Sequence, residues 1–372
     1  MLNYEFPPIG GGAANANLCL LRQYAGRDDL HVDMLTSASK PGIVRENFSE
    51  NITIHKVGIH KKHLHFWRRI EVIEWLIKAG FYYRRLLRKN NYDLAHAFFG
   101  FPTGWLCYRN AGRLPYIISL RGSDVPGQNA RLQLDYKILA PTFRAIWKKA
   151  SALVACSEGL KERALLFMPS APIDVIPNGV ELDRFFPDET EEKSEVLRLL
   201  TVGRLSVTKR IEMLIEAVEI LHRTACKVRL TVVGGGQLEQ QLRKIVTEKE
   251  LTDVIEITGR MDPEKMPEVY WQNDIFISAS MQEGMSNAML EAMATGLPIV
   301  TTRCEGLAEL IDGNGLVAEH DNIEEIAKAI KRLADDSKLY KRMSTAARKQ
   351  AEKFDWANVA SSYIEQYCKI IT

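Results

Sequence analysis

Short apolar runs rich in valine and isoleucine alternate with amphipathic segments along nearly the whole chain, and this alternation limits the possible folds more than any other feature. In the second half these runs lie at 197–203, 228–234, 254–259, 274–280 and 298–303. In the first half they lie at 31–37, 93–99, 116–122, 151–157 and 173–179. Apolar strands separated by helices are typical of a parallel sheet covered on both faces. The sequence therefore predicts an α/β protein of two doubly wound, Rossmann-like domains.

The break between the domains is expected near residues 177–179, where Pro, Asn and Gly interrupt the pattern, followed by an acidic connector at 188–195. We expect a first domain over 1–182 and a second over 183–353. The last segment, 354–372, has helical spacing and is expected to cross back toward the first domain.

Composition indicates the class of the protein and its cellular compartment. Of its 372 residues, 46% are apolar and 26% charged, as in a globular protein with large cores. Six scattered cysteines, no apolar run of spanning length and no leader pattern indicate a cytoplasmic protein. The net charge of +2 is uneven: 25 Lys+Arg face 16 Asp+Glu up to Phe186, and 24 face 31 thereafter. The first half is therefore expected to meet something anionic.

The first candidate site is the glycine loop PPIGGGAANA at 7–16. Glycines allow the backbone to approach a ligand closely, and the N–H groups of the helix that follows attract anions. A phosphate-approaching loop and a tight strand-to-helix turn both explain the loop. The preceding segment, MLNYEF, is short for a first strand; either the strand is brief or residues upstream are missing from this chain.

The second candidate is GRLSVTK, in which Arg204 and Lys209 lie between a strand end and a helix. Two cations beside the positive end of a helix dipole are unfavourable unless an anion lies between them, and a diphosphate fits. The glycine turn at 234–236 also follows a strand, but it is interpreted as structural.

The third candidate is EGMSNAMLE, with Glu283 in a strand-to-helix loop and Glu291 on the first or second turn of the helix. Two carboxylates can accept hydrogen bonds from two hydroxyl-bearing parts of one ligand, such as a sugar and a ribose. The alternative is a helix cap and a half-buried ion pair, which the apolar sequence around Glu291 disfavours. Together the three candidates indicate a nucleotide-sugar site between two domains.

These segments, taken in order, closely resemble the retaining glycosyltransferases of family 4, which have the GT-B fold of two Rossmann-like domains facing each other across a cleft. The glycine loop, LRGSD (120–124), ACSEGLKERA, IPNGVELDRF, GRLSVTK and EGMSNAMLE all match family motifs, so the resemblance covers nearly the whole chain.

The resemblance implies a role for each matching residue. Arg204 and Lys209 would neutralise the donor diphosphate, and Glu283 would lie beside the donor sugar. Glu291 would bind the ribose hydroxyls. The remaining donor-binding positions, largely through backbone atoms, would be Gly11, Gly12, Gly259, Arg260, Gly284, Met285, Ser286 and Asn287.

One position departs from the family. Arg121 stands where relatives often carry a histidine that contacts the donor sugar, and arginine cannot act as a neutral imidazole. Arg121 is kept as a catalytic candidate, able to bind a sugar hydroxyl or an anionic acceptor. His96 is a substitute candidate on the acceptor side with Gly12 and Asp124, although a histidine at a strand end is also typical of a structural residue.

The resemblance further implies transfer with retained configuration, with a UDP-sugar preferred to a GDP-sugar as donor. The acceptor would be a hydroxyl of a glycan or lipid-linked molecule in cell-surface polysaccharide or lipopolysaccharide synthesis. No Asp-x-Asp metal grip is evident, so no metal or other cofactor is expected and activity should survive a chelator. Alternatives are a nucleotide-sugar epimerase of the same architecture, a non-catalytic nucleotide-sugar-binding protein and, much less favoured, a nicotinamide-dependent oxidoreductase.

The segment 56–89 holds ten Lys+Arg and two Glu, interleaved with aromatic residues. This composition fits peripheral contact with an anionic membrane surface on the cytoplasmic side, where lipid-linked acceptors would be found. The alternative is a solvated helix that packs on the first sheet. No recognition fold supports nucleic-acid binding.

Overall fold

The computed structural model describes residues 1–64, 66–127, 133–188 and 195–372. It divides into two compact units, one of Met1–Asn178 with Trp356–Thr372 and one of Gly179–Asp355. All but the ends of the acidic connector predicted at 188–195 lies outside the described residues. So does residue 65 of the basic segment.

The first unit is a sheet with helices around it. Its elements are α1 (Gly12–Tyr24), β1 (Val32–Ala38), β2 (Ile43–Ser49), β3 (Ile52–Gly58), α2 (Arg69–Lys89), β4 (Ala95–Phe98), α3 (Thr103–Tyr108), β5 (Tyr116–Leu120), α4 (Gln133–Lys149), β6 (Ala152–Ala155), α5 (Glu158–Phe167), β7 (Ile173–Val175) and the terminal α12 (Trp356–Ile371).

The opening residues join the two halves of this sheet. Leu2 forms parallel bridges to Leu35 of β1 on one side and to Ala97 of β4 on the other. The strand orders β1-β3-β2 and β4-β5-β6-β7 thus extend outward from Leu2 in opposite directions. The strand predicted at MLNYEF is reduced to these bridges, and the glycine loop follows it at the point where the strand order reverses.

A hairpin absent from the sequence prediction forms the edge of this sheet. Strand β2 pairs antiparallel with β3, so the sheet is not wholly parallel. The first five residues of β2 are exposed, which explains why its sequence lacks the apolar run that marks the buried strands.

The terminal helix α12 packs within the first unit. Trp356, Tyr363 and Tyr367 are buried among core residues of α1, β1 and β4. The Tyr367 hydroxyl also lies 3.1 Å from that of Tyr24 on α1.

The second unit has one six-stranded sheet. Its elements are β8 (Leu197–Val202), α6 (Ile211–Arg223), β9 (Val228–Val233), α7 (Glu239–Glu248), β10 (Ile255–Gly259), α8 (Met266–Trp271), β11 (Ile275–Ser278), α9 (Asn287–Ala294), β12 (Ile299–Thr302), β13 (Gly315–Ala318), α10 (Ile323–Asp335) and α11 (Ser337–Ala351). All of its strand pairs are parallel.

The strand order of this sheet is β10-β9-β8-β11-β12-β13. The chain winds outward in one direction from β8 and in the other from β11, so the order reverses between these two strands. Ligands of open α/β sheets bind at the carboxyl ends of strands at such a switch point. The loops after β8 and β11 flank it. The α/β prediction, with two Rossmann-like units, is confirmed.

Candidate functional site

The loops that follow β8 and β11 are fastened to each other. The Met281 N–H donates to the carbonyl oxygen of Thr208 at 2.9 Å. Arg210 adds a brace: its Nε donates to the Ala279 carbonyl oxygen at 2.7 Å and its Nη2 to Thr302 Oγ1 at 3.2 Å. Arg210 has a φ of 47°, a left-handed conformation that is unfavourable for a residue with a Cβ. The sequence analysis missed Arg210, which follows Lys209 directly.

This brace holds Lys209 and Glu283 together at the switch point. The Lys209 ammonium is in direct contact with the Glu283 carboxylate, and Ser280 Oγ donates to Glu283 Oε1 at 3.2 Å. Burial lowers the pKa of Lys209 to about 8, and nearby Arg204 adds to this. The structure thus joins two residues that stand 74 positions apart in the sequence.

Two further cations lie around this pair. Arg204 and Arg260 are both exposed, and Arg204 lowers the pKa of Arg260 in addition to the effect of burial. The Arg260 side chain lies over Gly235, where an added Cβ would come within 3.1 Å of the Arg260 Nε. Arg204 thus repels both Lys209 and Arg260, and an anion bound beside these cations would relieve that repulsion.

The glycine turn at 234–236 brings backbone against backbone. A Cβ on Gly234, which has a φ of +137°, would lie 1.8 Å from the carbonyl oxygen of Gly203. One on Gly236 would lie 2.1 Å from that of Leu205. These contacts support the structural interpretation of the turn. They also place Gly235 under Arg260.

Helix α9 begins beside Glu283. Ser286 caps it, with its hydroxyl accepting a hydrogen bond from the Met289 N–H at 3.3 Å. Segment 284–287 therefore leads into the positive end of the helix dipole. Gly306 supports this segment: its φ is +71°, and a Cβ there would lie 2.2 Å from the Gly284 carbonyl oxygen. The sequence analysis missed Gly306, which follows β12 after only a few residues.

Glu291 lies on the second turn of α9 and has a different partner from Glu283. Its Oε2 accepts a hydrogen bond from the Tyr270 hydroxyl at 2.7 Å. Burial raises the pKa of Glu291 to about 7. Gly259, the last residue of β10, has a φ of +73°, and its carbonyl oxygen accepts a hydrogen bond from the Gly234 N–H at 2.8 Å.

In the first unit, the structure gives Arg121 and Asp124 partners within the protein. Arg121 Nη1 donates to Asn178 Oδ1 at 2.7 Å, Nη2 donates to the Tyr363 hydroxyl at 3.2 Å, and the guanidinium lies over the Phe98 ring. Asp124 is buried and accepts hydrogen bonds from the N–H groups of Gly100 and Arg121, at 2.6 and 2.8 Å. Both residues therefore hold the chain around the end of β5.

His96 does not fit the acceptor-side role. It is only 2% exposed, and its Nδ1 and Nε2 lie 2.6 and 2.7 Å from the Tyr367 hydroxyl and Ser119 Oγ. Burial lowers its pKa well below the usual value. A neutral ring with both nitrogens bound in the core leaves no group for an acceptor, so the structural alternative describes His96.

The glycine loop of the first unit leads directly into α1. Gly10 has a φ of +107°, and a Cβ there would come within 2.7 Å of Glu5, so this position requires glycine. Gly11 precedes the helix and Gly12 begins it, with Gly12 exposed. The helix dipole thus ends at accessible backbone, as the phosphate-approaching interpretation requires.

A doubly wound second unit, with cations and Glu283 at its switch point, is typical of proteins that bind anionic, hydroxyl-rich ligands. Comparison with known families makes the assignment specific. The profile for group 1 glycosyl transferases matches residues 183–350, and that for glycosyltransferase family 4 matches residues 10–184. Together the two profiles cover residues 10–350, and the chain is a glycosyltransferase that belongs to family 4.

Individual relatives agree with the assignment. An uncharacterized glycosyltransferase of Methanocaldococcus jannaschii is 26% identical over 90% of this chain and 92% of its own. The amylovoran biosynthesis glycosyltransferase AmsK of Erwinia amylovora is 28% identical over 64% of this chain and 56% of its own.

Solved structures share the fold. Sucrose-phosphate synthase of Thermosynechococcus elongatus superposes with a TM-score of 0.84 at 22% identity, covering 99% of this chain and 98% of its own. Anabaena HepE, solved with UDP and glucose, gives a TM-score of 0.72 at 18% identity over 98% and 97% of the two chains. The GT-B fold is confirmed.

Proposed function

We propose that this glycosyltransferase moves a sugar from a nucleotide-sugar donor, preferably a UDP-sugar, to a hydroxyl of a glycan or lipid-linked acceptor, with retention of anomeric configuration. The observation that carries the proposal is the contact between Lys209 and Glu283 at the switch point, with Arg204 and Arg260 around it. Cations and a carboxylate side by side suit a ligand that joins a diphosphate to a hydroxyl-bearing sugar.

In this proposal Arg204 and Lys209 bind the diphosphate, and the first turn of α9 adds its dipole. The bond between the anomeric carbon and the diphosphate oxygen breaks as negative charge grows on the departing nucleotide. Fixed cations stabilise that charge more strongly in the transition state than in the ground state, which lowers the barrier. Because side chains can supply this charge, we expect transfer to continue in the presence of a chelator.

Glu283 faces the sugar end of the donor in this assignment. The acceptor oxygen forms its bond to the anomeric carbon on the face from which the nucleotide leaves, and its proton passes to the departing phosphate. Glu291 would accept hydrogen bonds from the ribose hydroxyls, with Tyr270 holding its carboxylate. Arg260 and Gly259 would flank the nucleobase.

Two properties of relatives support the choice of substrates. HepE was solved with UDP and glucose, and the name of AmsK places it in amylovoran biosynthesis. A UDP-sugar donor and a cell-surface polysaccharide product are therefore the expected pair, with a lipopolysaccharide or lipid-linked glycan included in the same acceptor class. A lipid-linked acceptor would require the enzyme to work at a membrane surface. Among the described residues, no helix combines the length and apolar character needed to cross a bilayer.

A donor panel tests this function. UDP-, GDP- and ADP-sugars, each with EDTA, are screened for a rise in melting temperature and for slow nucleotide release. One UDP-sugar should stabilise the protein and be turned over, and both effects should be lost in Glu283→Gln and Arg204→Ala. The exposed residues Glu268 and Arg223 provide matched controls, as Glu268→Gln and Arg223→Ala.

The possible outcomes are distinct. Stabilisation by a donor followed by sugar inversion without nucleotide release would replace transfer with the epimerase alternative. Equal losses in the control variants, or no response to any nucleotide sugar, would contradict the assigned site.

A further inference from the structure

Helix α2 carries a stripe of large apolar side chains that faces solvent. Ile70, Ile73, Ile77 and Phe81 are 67%, 56%, 56% and 70% exposed. Their spacing of three or four residues places all four on one face of the helix. The opposite face, with Trp75 and Ala79, is fully buried. The helix is therefore already packed, and this second apolar face has no role in the core.

Helix α4 repeats the pattern. Leu134 and Ile138 are four residues apart and 65% and 68% exposed. An ion pair of 2.9 Å between Arg69 at the start of α2 and Asp135 on the first turn of α4 joins the two helices where their exposed apolar residues begin. We call Ile70, Ile73, Ile77, Phe81, Leu134 and Ile138 together the α2–α4 face.

Cations continue both stripes toward the C-terminal ends of the helices. On α2, Arg84, Arg85 and Arg88 are exposed, and they make no hydrogen bond or ion pair with any described residue. On α4, Lys137 is exposed beside Ile138, and Lys148 is exposed nearer the C-terminal end of the helix. A groove of about 300 Å³ joins the two kinds of side chain, because Ile77 and Phe81 line it together with Arg84 and with Trp105 and Arg109 from the region of α3.

The carboxylates of these helices do not offset this charge. Glu71 is buried against Lys61 and Arg68, Glu74 pairs with Lys78 and His60, and Asp135 pairs with Arg69 as noted. Arg84, Arg85 and Arg88 therefore give this surface a positive charge that faces the solvent. The face combines exposed aliphatic and aromatic groups with an uncompensated positive border.

This arrangement narrows the membrane-contact prediction made for 56–89 to part of that segment. Lys56 pairs with Glu46, and Lys61 is buried against Glu71, so the beginning of the segment is occupied within the protein. Trp75 is in the core. The exposed apolar residues are Leu64 and Phe66 before α2 and one face of α2 itself, and the exposed residues of α4 lie outside the segment.

We propose that the α2–α4 face is a docking surface for an anionic lipid bilayer. Apolar side chains can enter the boundary between headgroups and acyl chains, while arginine and lysine bind anionic headgroups from above. A second copy of the chain fits less well, because the border is positive and would face an equally positive border in a symmetric contact. This proposal does not depend on the substrate assignment, since bilayer binding needs neither donor nor acceptor.

Vesicle sedimentation with the full chain tests it. Vesicles of phosphatidylcholine alone are compared with vesicles that also contain phosphatidylglycerol, at low and high salt. We expect binding to the anionic vesicles only, weakened by salt. Ile77→Asp with Phe81→Asp should lower binding by about tenfold or more, because two apolar groups that would enter the bilayer are lost and two negative charges are repelled by the anionic surface.

Matched variants distinguish binding through this surface from non-specific binding to vesicles. Ile371→Asp changes an isoleucine of similar exposure, 52%, on α12 of the same unit and should bind like the wild type. Arg84→Glu with Arg88→Glu should weaken binding by about fivefold or more for each arginine. Lys341→Glu with Lys349→Glu alters a cationic surface of α11 that lacks such an apolar stripe and should have little effect.

Wild-type binding by the Ile77/Phe81 variant, or equal losses in the control variants, would overturn the proposal. So would a dimer in light scattering that the same double variant disrupts while vesicle binding is absent, since the face would then belong to a second copy. Far-UV circular dichroism of each variant shows that it is folded.

Discussion

Lys209 in the second unit and Arg121 in the first look alike in the sequence, since each is a cation shortly after an apolar strand. In the structure the two residues have different partners. Lys209 contacts the Glu283 carboxylate near the exposed side chain of Arg204. Arg121 is held by Asn178, Tyr363 and the Phe98 ring, all in its own unit. A charged residue at a strand end can thus belong to a ligand site or to the framework, and its partners decide which.

The partners also differ in what they leave unsatisfied. In the second unit, Arg204 lowers the pKa of both Lys209 and Arg260, so an anion beside these cations would stabilise them. In the first, the hydrogen bonds of Arg121 are made to neutral groups, and neighbouring Asp124 is bound by backbone N–H groups. The first arrangement favours an anionic ligand. In the second, the fixed partners of Arg121 are neutral and its buried Nε has no hydrogen-bond partner among the described residues, so the arrangement positions the guanidinium without neutralising it.

The largest effect is expected for Lys209→Ala. With a fixed donor and acceptor, kcat/KM should fall by about 10²- to 10³-fold, because a fixed cation is lost where charge develops. The free energy of unfolding should change by less than about 1 kcal/mol, since a partly exposed ion pair contributes little to stability. Lys249 pairs with Glu219 in the same unit and is similarly exposed, so Lys249→Ala is the control. Full activity in Lys209→Ala would remove the difference drawn between the two units.

The next effect is expected for Arg121→Ala, and it should appear in stability. Two hydrogen bonds from a charged group and a ring contact are lost, so the free energy of unfolding in urea should fall by about 2–3 kcal/mol. Activity per folded molecule should fall less than in Lys209→Ala. Arg144 also lies over a phenylalanine ring but makes one long hydrogen bond, so Arg144→Ala should cost less. Unchanged stability with lost transfer would return Arg121 to the catalytic group, where the family resemblance had placed it.

The strands illustrate which parts of the fold the sequence could predict. Apolar runs such as 197–203 and 228–234 correspond to β8 and β9 within a residue at each end. Their burial on both faces of a parallel sheet demands a continuous apolar sequence. Strand β2 is an exposed edge, and β13 is the edge strand of the second sheet with only Ala318 buried, so neither carries that signal.

The candidate site divides in the same way. The motifs located Lys209, Glu283 and Glu291, because loops after strands carry polar residues in recognisable order. The motifs could not show that Lys209 contacts Glu283 while Glu291 binds Tyr270, since those pairs depend on how the chain crosses the sheet. The brace by Arg210 and the close approach of Gly306 to Gly284 could not be predicted from the sequence for the same reason.

The smallest effect concerns Glu291, whose carboxylate is buried in a site otherwise rich in charge. Burial raises its pKa from 4.5 to about 7 in the folded chain. Between these values the unfolded chain has lost the proton that the folded chain keeps, so stability falls as pH rises from about 4.5 to 7. Glu291→Gln cannot titrate. Its free energy of unfolding relative to wild type should therefore increase by about 1–2 kcal/mol between pH 5 and pH 8, less than full burial would give because the residue is partly exposed.

Urea unfolding of Glu291→Gln and wild type across this range measures the difference, and Glu268→Gln on the exposed surface of α8 should show none. The same variant should bind a donor more weakly, because an amide accepts fewer hydrogen bonds from ribose than a carboxylate does. Higher stability with lower affinity would mean that the carboxylate is retained for its ligand at the expense of the fold, as Arg121 is not. A difference that does not vary with pH would show that Glu291 is already ionised in the folded protein, and that its burial is no sign of a binding site.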